Sequence, residues 1–154
     1  MRKGTVAYSV VLLLILASLV AFAPPAAAVI EGSIKWDPYK VDLSLPSPST
    51  FTALIRFESG EGGNPRDINA STVLLEGSLA PDATIYVPGA VEAEFDGTGV
   101  VNILWGEITH LGQLAPPYKI WLTITGKLID SAGATPFSCT GEVKLIVHHS
   151  PPPP

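Results

Sequence analysis

The chain has 154 residues, a formal net charge of -5 at neutral pH and only 15% charged side chains. Its length is that of a single domain. With 14 acidic against 9 basic residues, the chain has no basic stripe for phosphate groups, which excludes nucleic acid and anionic lipid surfaces as partners.

The chain opens with the pattern of a secretory signal peptide. Arg2 and Lys3 precede an uncharged apolar run over 7–23, and small residues follow as an A-x-A cleavage site. A retained anchor is the alternative, but this run is at the lower length limit for a spanning helix. We predict a signal peptide over residues 1–28 and a secreted or cell-surface protein, with no stable membrane insertion after cleavage. The mature chain then carries a net charge of -7, because the removed segment contains two basic residues and no acidic ones.

Apolar and polar residues alternate with a period of two through most of the mature chain, as in strands with one buried face. The clearest predicted strands cover 41–45, 51–57, 120–125 and 143–147. Shorter ones are predicted at 72–75, 84–87, 91–95 and 100–105, with a further N-terminal edge strand at 34–36.

Gly and Pro residues separate these runs at short intervals, for example at Pro88-Gly89 and at 96–99. One short helical turn is predicted near 107–112. The pattern therefore predicts an all-β fold, an antiparallel β-sandwich of seven to eight strands over residues 29–147, with a closed barrel as the alternative. Residues 148–154 are predicted to be a disordered proline-rich tail outside the fold.

The chain contains a single cysteine, Cys139, which cannot form an internal disulfide. It lies in an apparent strand beside Phe137. We interpret it as a small buried apolar side chain, and an intermolecular disulfide is the alternative.

Three motifs follow one another in the order I-K-W-D-P with V-D-L (34–43), D-I-N-A-S-T-V-L-L-E-G (67–77) and I-W-L-T-I-T-G-K-L with T-P-F (120–137). This order resembles that of immunoglobulin-like (cohesin-like) β-sandwich modules in secreted bacterial and archaeal surface proteins. The resemblance implies an immunoglobulin-like sandwich with a binding, adhesive or structural role, and it implies no catalysis.

Members of that class often carry an acidic loop of calcium-ligand type, and the corresponding segment here is 94–102. Calcium prefers six to eight oxygen ligands, several of them carboxylates. Glu94, Asp96 and Asn102 are the candidate ligands, but Thr98 and Asn102 stand where the class has carboxylates. We therefore interpret the segment as a Gly-rich hairpin turn with two solvated acids, at which any calcium would bind weakly, and we predict no other cofactor.

The sequence predicts no enzyme. It lacks the G-x-S-x-G nucleophile motif, and its histidines, His110, His148 and His149, do not have the spacing of a zinc site. Glu92 and Glu94 share a strand face, as paired glycosidase carboxylates would, but acids two residues apart are ordinary on a solvated face.

Two further features of the sequence bear on ligands and modification. Trp36, Trp105 and Trp121 either fill the core or offer a stacking surface for sugars. Asn69 begins an N-x-S glycosylation pattern, which is a hypothesis for an exported chain.

These observations predict an exported, non-enzymatic module for contact with another protein or with copies of itself, in structural or adhesive assembly. Edge strands and loops would make the contact. The alternatives are a carbohydrate-binding module that uses exposed tryptophans on a polysaccharide, and a filament subunit that assembles by donor-strand addition with the segment after Val29 as the donor.

Overall fold

A computed structural model describes residues 28–58, 62–111, 118–130 and 133–147. Within these residues the chain forms eight strands and one α-helix, together with two single 3-10 turns at Pro65–Asp67 and Ala70–Thr72. The strands are β1 (Ile30–Asp37), β2 (Lys40–Asp42), β3 (Thr50–Phe57), β4 (Leu74–Leu75), β5 (Ala83–Val87), β6 (Ala90–Asp96), β7 (Tyr118–Asp130) and β8 (Gly133–Ile146), and the helix is α1 (Gly97–Leu111).

All eight strands belong to one curled sheet with the order β4-β7-β8-β1-β3-β6-β5, and β2 pairs with β8 beside this path. Helix α1 and the first 3-10 turn each contact β3, β6 and β7, so they connect the two halves of the sheet. The buried side chains form one continuous core between these halves. The predicted all-β character is therefore confirmed, apart from the helix.

The sheet is mixed, and the prediction of purely antiparallel pairing is wrong. β8 runs antiparallel to β7 but parallel to both β1 and β2. The first four residues of β1 lie inside the sheet, between β8 and β3, whereas residues 34–36, predicted as an edge strand, pair with β3 alone. The first strand of the described fold therefore joins the last strand to the rest of the sheet.

β1 and β2 occupy successive positions along β8. β1 pairs with β8 only through its first four residues, and the chain returns to β8 as β2 after Pro38. Where the strands separate, the buried Trp36 donates a hydrogen bond from Nε1 to the carbonyl of Gly141 at 3.3 Å. A Cβ atom on Gly141 would lie 2.5 Å from the carbonyl oxygen of Ile34, so the close approach of β1 to β8 requires glycine here.

The helix is longer than predicted and replaces a predicted strand. α1 begins at Gly97, directly after β6, and includes the segment 100–105 that the sequence predicts to be extended. Val100 and Leu104, four residues apart, are buried against the sheet, whereas Asn102 and Trp105 are exposed. This spacing is that of one helix face.

The predicted signal peptide over 1–28 and the predicted proline-rich tail over 148–154 lie outside the described residues, except for Ala28. No helix in the described part of the chain has the length and apolarity needed to span a membrane.

Candidate functional site

The two edges of the sheet differ in how far other parts of the chain cover them. At the β4 edge, the segment 69–76 satisfies the outer backbone groups of β7. Lys127 donates its N–H to Thr72 Oγ1 and accepts from the N–H of Asn69, both at 2.9 Å. Thr123 is bonded through both its N–H and its carbonyl to Glu76, at 2.5 and 2.9 Å. This stretch of β7 is thus closed to a further strand.

The opposite edge is β5, whose sequence A-T-I-Y-V is rich in β-branched and aromatic residues and has no charge. A tight turn at Pro88-Gly89, with Gly89 at a φ of 76°, connects it to β6. Val87 and Ala90 are the residue pair that closes this hairpin, and Ile85 lies opposite Glu92 two residues further along. The hairpin fixes which side of β5 stays unpaired.

Backbone groups alternate in direction along β5. In a two-residue hairpin the closing pair exchanges hydrogen bonds, so Val87 and then Ile85 point their N–H and carbonyl groups toward β6. The N–H and carbonyl groups of Thr84 and Tyr86 therefore point away from β6, to the open side of β5. Each residue offers one donor and one acceptor to an added strand.

Apolar side chains accompany this open backbone. Ile85 is 49% exposed, on the outer face beside Glu92, and Tyr86 is 41% exposed. The guanidinium of Arg66 lies 4.8 Å from the ring centroid of Tyr86, a cation–π contact. The N–H of Gly89 donates to the Tyr86 hydroxyl and, with a smaller contribution from Arg66, lowers the pKa of that hydroxyl. The ring is thus held beside the edge.

A shallow cleft of about 590 Å³ lies on the outer face of the same half of the sheet. Its lining combines charged, polar and apolar side chains with one exposed and one buried aromatic ring: Lys35, Trp36, Asp37, Tyr39, Thr52, Leu54 and Glu92. A second cavity of about 370 Å³ lies along Thr125–Lys127 and 136–138. Every ionisable side chain that lines either cavity is at least partly exposed.

The three calcium candidates have separate structural positions. Glu94 lies on β6 opposite Thr52, and Asn102 is exposed on α1. Asp96 caps the helix, since its Oδ2 accepts a hydrogen bond from the N–H of Gly99 at 2.7 Å. The segment predicted as a hairpin turn is thus a helix N-terminus. Among the described residues, no three His, Cys, Asp or Glu side chains are close enough to hold a metal ion.

Asn69, the predicted glycosylation residue, is half-buried at the start of the second 3-10 turn. Its Oδ1 accepts hydrogen bonds from the N–H and the hydroxyl of Ser71, at 3.3 and 2.8 Å. The side chain therefore has a local structural role, as an N-cap.

The tryptophans divide between the core and the surface. Trp36 is buried and lies against Phe95 at a centroid distance of 6.3 Å, whereas Trp105 on α1 is 41% exposed and Trp121 on β7 is 63% exposed. The two exposed rings lie on different elements. Of the histidines, the side chain of His110 and both His148 and His149 are outside the described part.

Comparisons of the chain with protein-family models, curated proteins and solved structures found no match in any of the three. The likeness to cohesin-like modules therefore stays a prediction.

The sequence predicts the strand at 84–87 but does not show that it lies at an edge of the sheet. The signal was present in the segment Ala83–Val87, five strand-forming residues without a charge, with Asp82 before it and Pro88-Gly89 after it. Central strands are also free of charges, so this composition alone does not distinguish an edge strand from an interior one.

Proposed function

We propose that this chain is an exported, non-enzymatic β-sheet module that makes protein contacts at or beyond the cell surface, and that β5 is its contact element. The observation that carries the proposal is the contrast between the two sheet edges. Segment 69–76 closes the edge along Thr123–Lys127, whereas nothing in the described part of the chain bonds to the outward backbone groups of β5, beside which Ile85 and Tyr86 are exposed. Export rests on the signal-peptide pattern.

Strand addition is the physical route by which such an edge binds. A partner strand gains hydrogen bonds from the donors and acceptors of Thr84 and Tyr86 and covers apolar side chains on both faces. Native sheets commonly block open edges with a charge, a proline or a bulge. β5 has no charge and no proline within its five residues, which supports a partner for this edge.

We also propose that the curled sheet is a variant of the immunoglobulin-like sandwich that the motifs resemble. The passage from β1 to β2 supports this, because a strand that changes neighbours part-way forms the corner between the two layers of a sandwich. The halves β4-β7-β8 and β3-β6-β5 would then be the two layers, with the shared core between them.

The test places the photo-crosslinking amino acid benzoylphenylalanine at Ile85 of the full chain, in the cells that naturally make it. The matched control has the same amino acid at Trp121, which is also exposed and on an outer sheet face. We expect covalent protein adducts at position 85 well above those at position 121. Equal yields at the two positions, or no adduct at either, would contradict the proposal.

A carbohydrate-binding module is the second candidate, supported by the exposure of Trp121 and Trp105. A sugar stacked on an exposed indole changes its fluorescence. Titration with polysaccharides should then shift the emission of the wild type but not that of a Trp121→Phe, Trp105→Phe variant, which keeps Trp36. An unshifted wild-type spectrum would remove this candidate.

The donor-strand alternative requires an N-terminal segment that is unpaired in its own sheet. Residues 30–37 instead form β1, paired with both β3 and β8. This pairing argues against the segment after Val29 as a donor.

A further inference from the structure

We propose that β5 pairs antiparallel with β5 of a second copy of this chain, with a two-fold axis midway between the two Ile85 residues. This inference rests on the proposed function, because it names the partner of the same edge. It joins the two eight-stranded sheets edge to edge.

The open backbone groups of β5 fit this symmetry. An antiparallel pair centred on Ile85 places Thr84 opposite Tyr86 of the second copy, and Tyr86 opposite its Thr84. These are the two residues whose N–H and carbonyl groups face the open side, so each opposed pair exchanges two hydrogen bonds. All four outward donors and acceptors of each β5 strand are then satisfied.

The side chains fit as well. Ile85 meets Ile85 of the second copy at a position without exchanged hydrogen bonds, where opposed side chains come closest. On the other face Tyr86 lies against Thr84 of the second copy, an aromatic–β-branched pair of the kind that stabilises sheets. The exposed surface of Ile85 and Tyr86 is thereby covered.

Charge does not oppose the pairing, although the chain is acidic overall. β5 has no charged residue, and Asp82, just before it, lies opposite Pro88 of the second copy. Glu92 and its equivalent are three strand spacings apart, about 14 Å at about 4.8 Å per strand, which exceeds the screening length of about 8 Å at physiological salt. A second copy therefore meets this edge without contact between carboxylates.

Two five-residue strands form a small interface, below the roughly 1,200 Å² of a standard stable complex. We therefore expect a weak dimer whose population depends on concentration.

The experiment is disulfide trapping of single-cysteine substitutions in the full mature chain. Cys139 is buried and does not compete. Under mild oxidation Ile85→Cys should form a covalent dimer at least about tenfold faster than Ala83→Cys, because association raises the effective thiol concentration at position 85 alone. Position 83 lies opposite position 87 in this register, so a mixture of Ala83→Cys and Val87→Cys should cross-link, and each alone should not.

Circular dichroism of each variant before oxidation checks that it is folded. Equal, slow trapping of the Ile85→Cys and Ala83→Cys proteins would overturn the self-pairing. Photo-adducts at position 85 that contain only other proteins would overturn it too, yet leave the contact function standing. An absence of any adduct at position 85 would overturn both.

Discussion

Cys139 lies in the core, and burial raises the pKa of its thiol from 9.0 to about 12. The thiolate is the reactive form. We therefore expect iodoacetamide near pH 8 to alkylate Cys139 much more slowly in the folded protein than in the urea-unfolded chain. The unfolded chain should be fully modified before the folded protein has reacted. Comparable rates in the two states would show that the thiol is accessible.

The same raised pKa makes stability depend on pH. The unfolded thiol loses its proton near pH 9 and the folded one near pH 12, so the contribution of Cys139 is complete below about pH 9 and is lost as the pH rises toward 12. Urea denaturation should show a steeper loss of unfolding free energy above about pH 9 in the wild type than in Cys139→Ala. Parallel curves would contradict the raised pKa.

Gly97, at the first position of α1, has no room for a side chain. Its N–H donates to the carbonyl of Ser49 at 3.1 Å, and a Cβ atom would collide with the carbonyl of Pro48. Gly97→Ala should lower the free energy of unfolding by about 1–3 kcal/mol through overpacking. The control is Gly106→Ala in the same helix, where a Cβ meets nothing within 4 Å. It should stabilise by about 0.5–1 kcal/mol through helix propensity, and equal effects of the two changes would contradict the contact with Pro48.

At the scale of elements, α1 depends on its cap. Asp96→Ala removes the acceptor for the Gly99 N–H and should cost about 0.5–2 kcal/mol in thermal or urea unfolding. Asp96→Asn keeps a good capping residue, so it should remain close to the wild type. If Asp96 instead bound calcium, added calcium would raise the melting temperature of the wild type but not that of the Asn variant.

Residue patterns alone predict some strands at their observed positions, but they do not predict the helix. Strands β3, β5 and β6 lie within a residue or two of their predicted positions, because β3 and β6 alternate between buried and more exposed residues and turn residues bound β5. The run 100–105 contains five apolar residues, and so short a run fits a buried strand or a helix face equally well. The cap at Asp96 and the four-residue spacing of the buried Val100 and Leu104 favour the helix. In the sequence alone, Asp96-Gly97 fits a turn equally well, which is why a hairpin is predicted there.

At the scale of the whole molecule, alternation shows which residues face the core but not which strands are neighbours. The parallel pairing of β1 with β8 joins segments about a hundred residues apart, and it depends on the close approach at Gly141 and on the Trp36 hydrogen bond. Because alternation does not show which strands are neighbours, the candidate site at β5 could not be predicted either. That β5 is an edge follows only from the strand order, although its boundaries were predictable.

The open edge of β5 is the central claim, and amide hydrogen exchange at single residues tests it most directly. The N–H of Ile85 points to β6 and should be protected at every protein concentration. The amides of Thr84 and Tyr86 should exchange freely in dilute protein and gain protection as the concentration rises, and an Ile85→Lys variant should abolish that gain. Protection of Thr84 and Tyr86 in dilute protein equal to that of Ile85 would contradict an open edge, and free exchange at every concentration would contradict its pairing with a second copy.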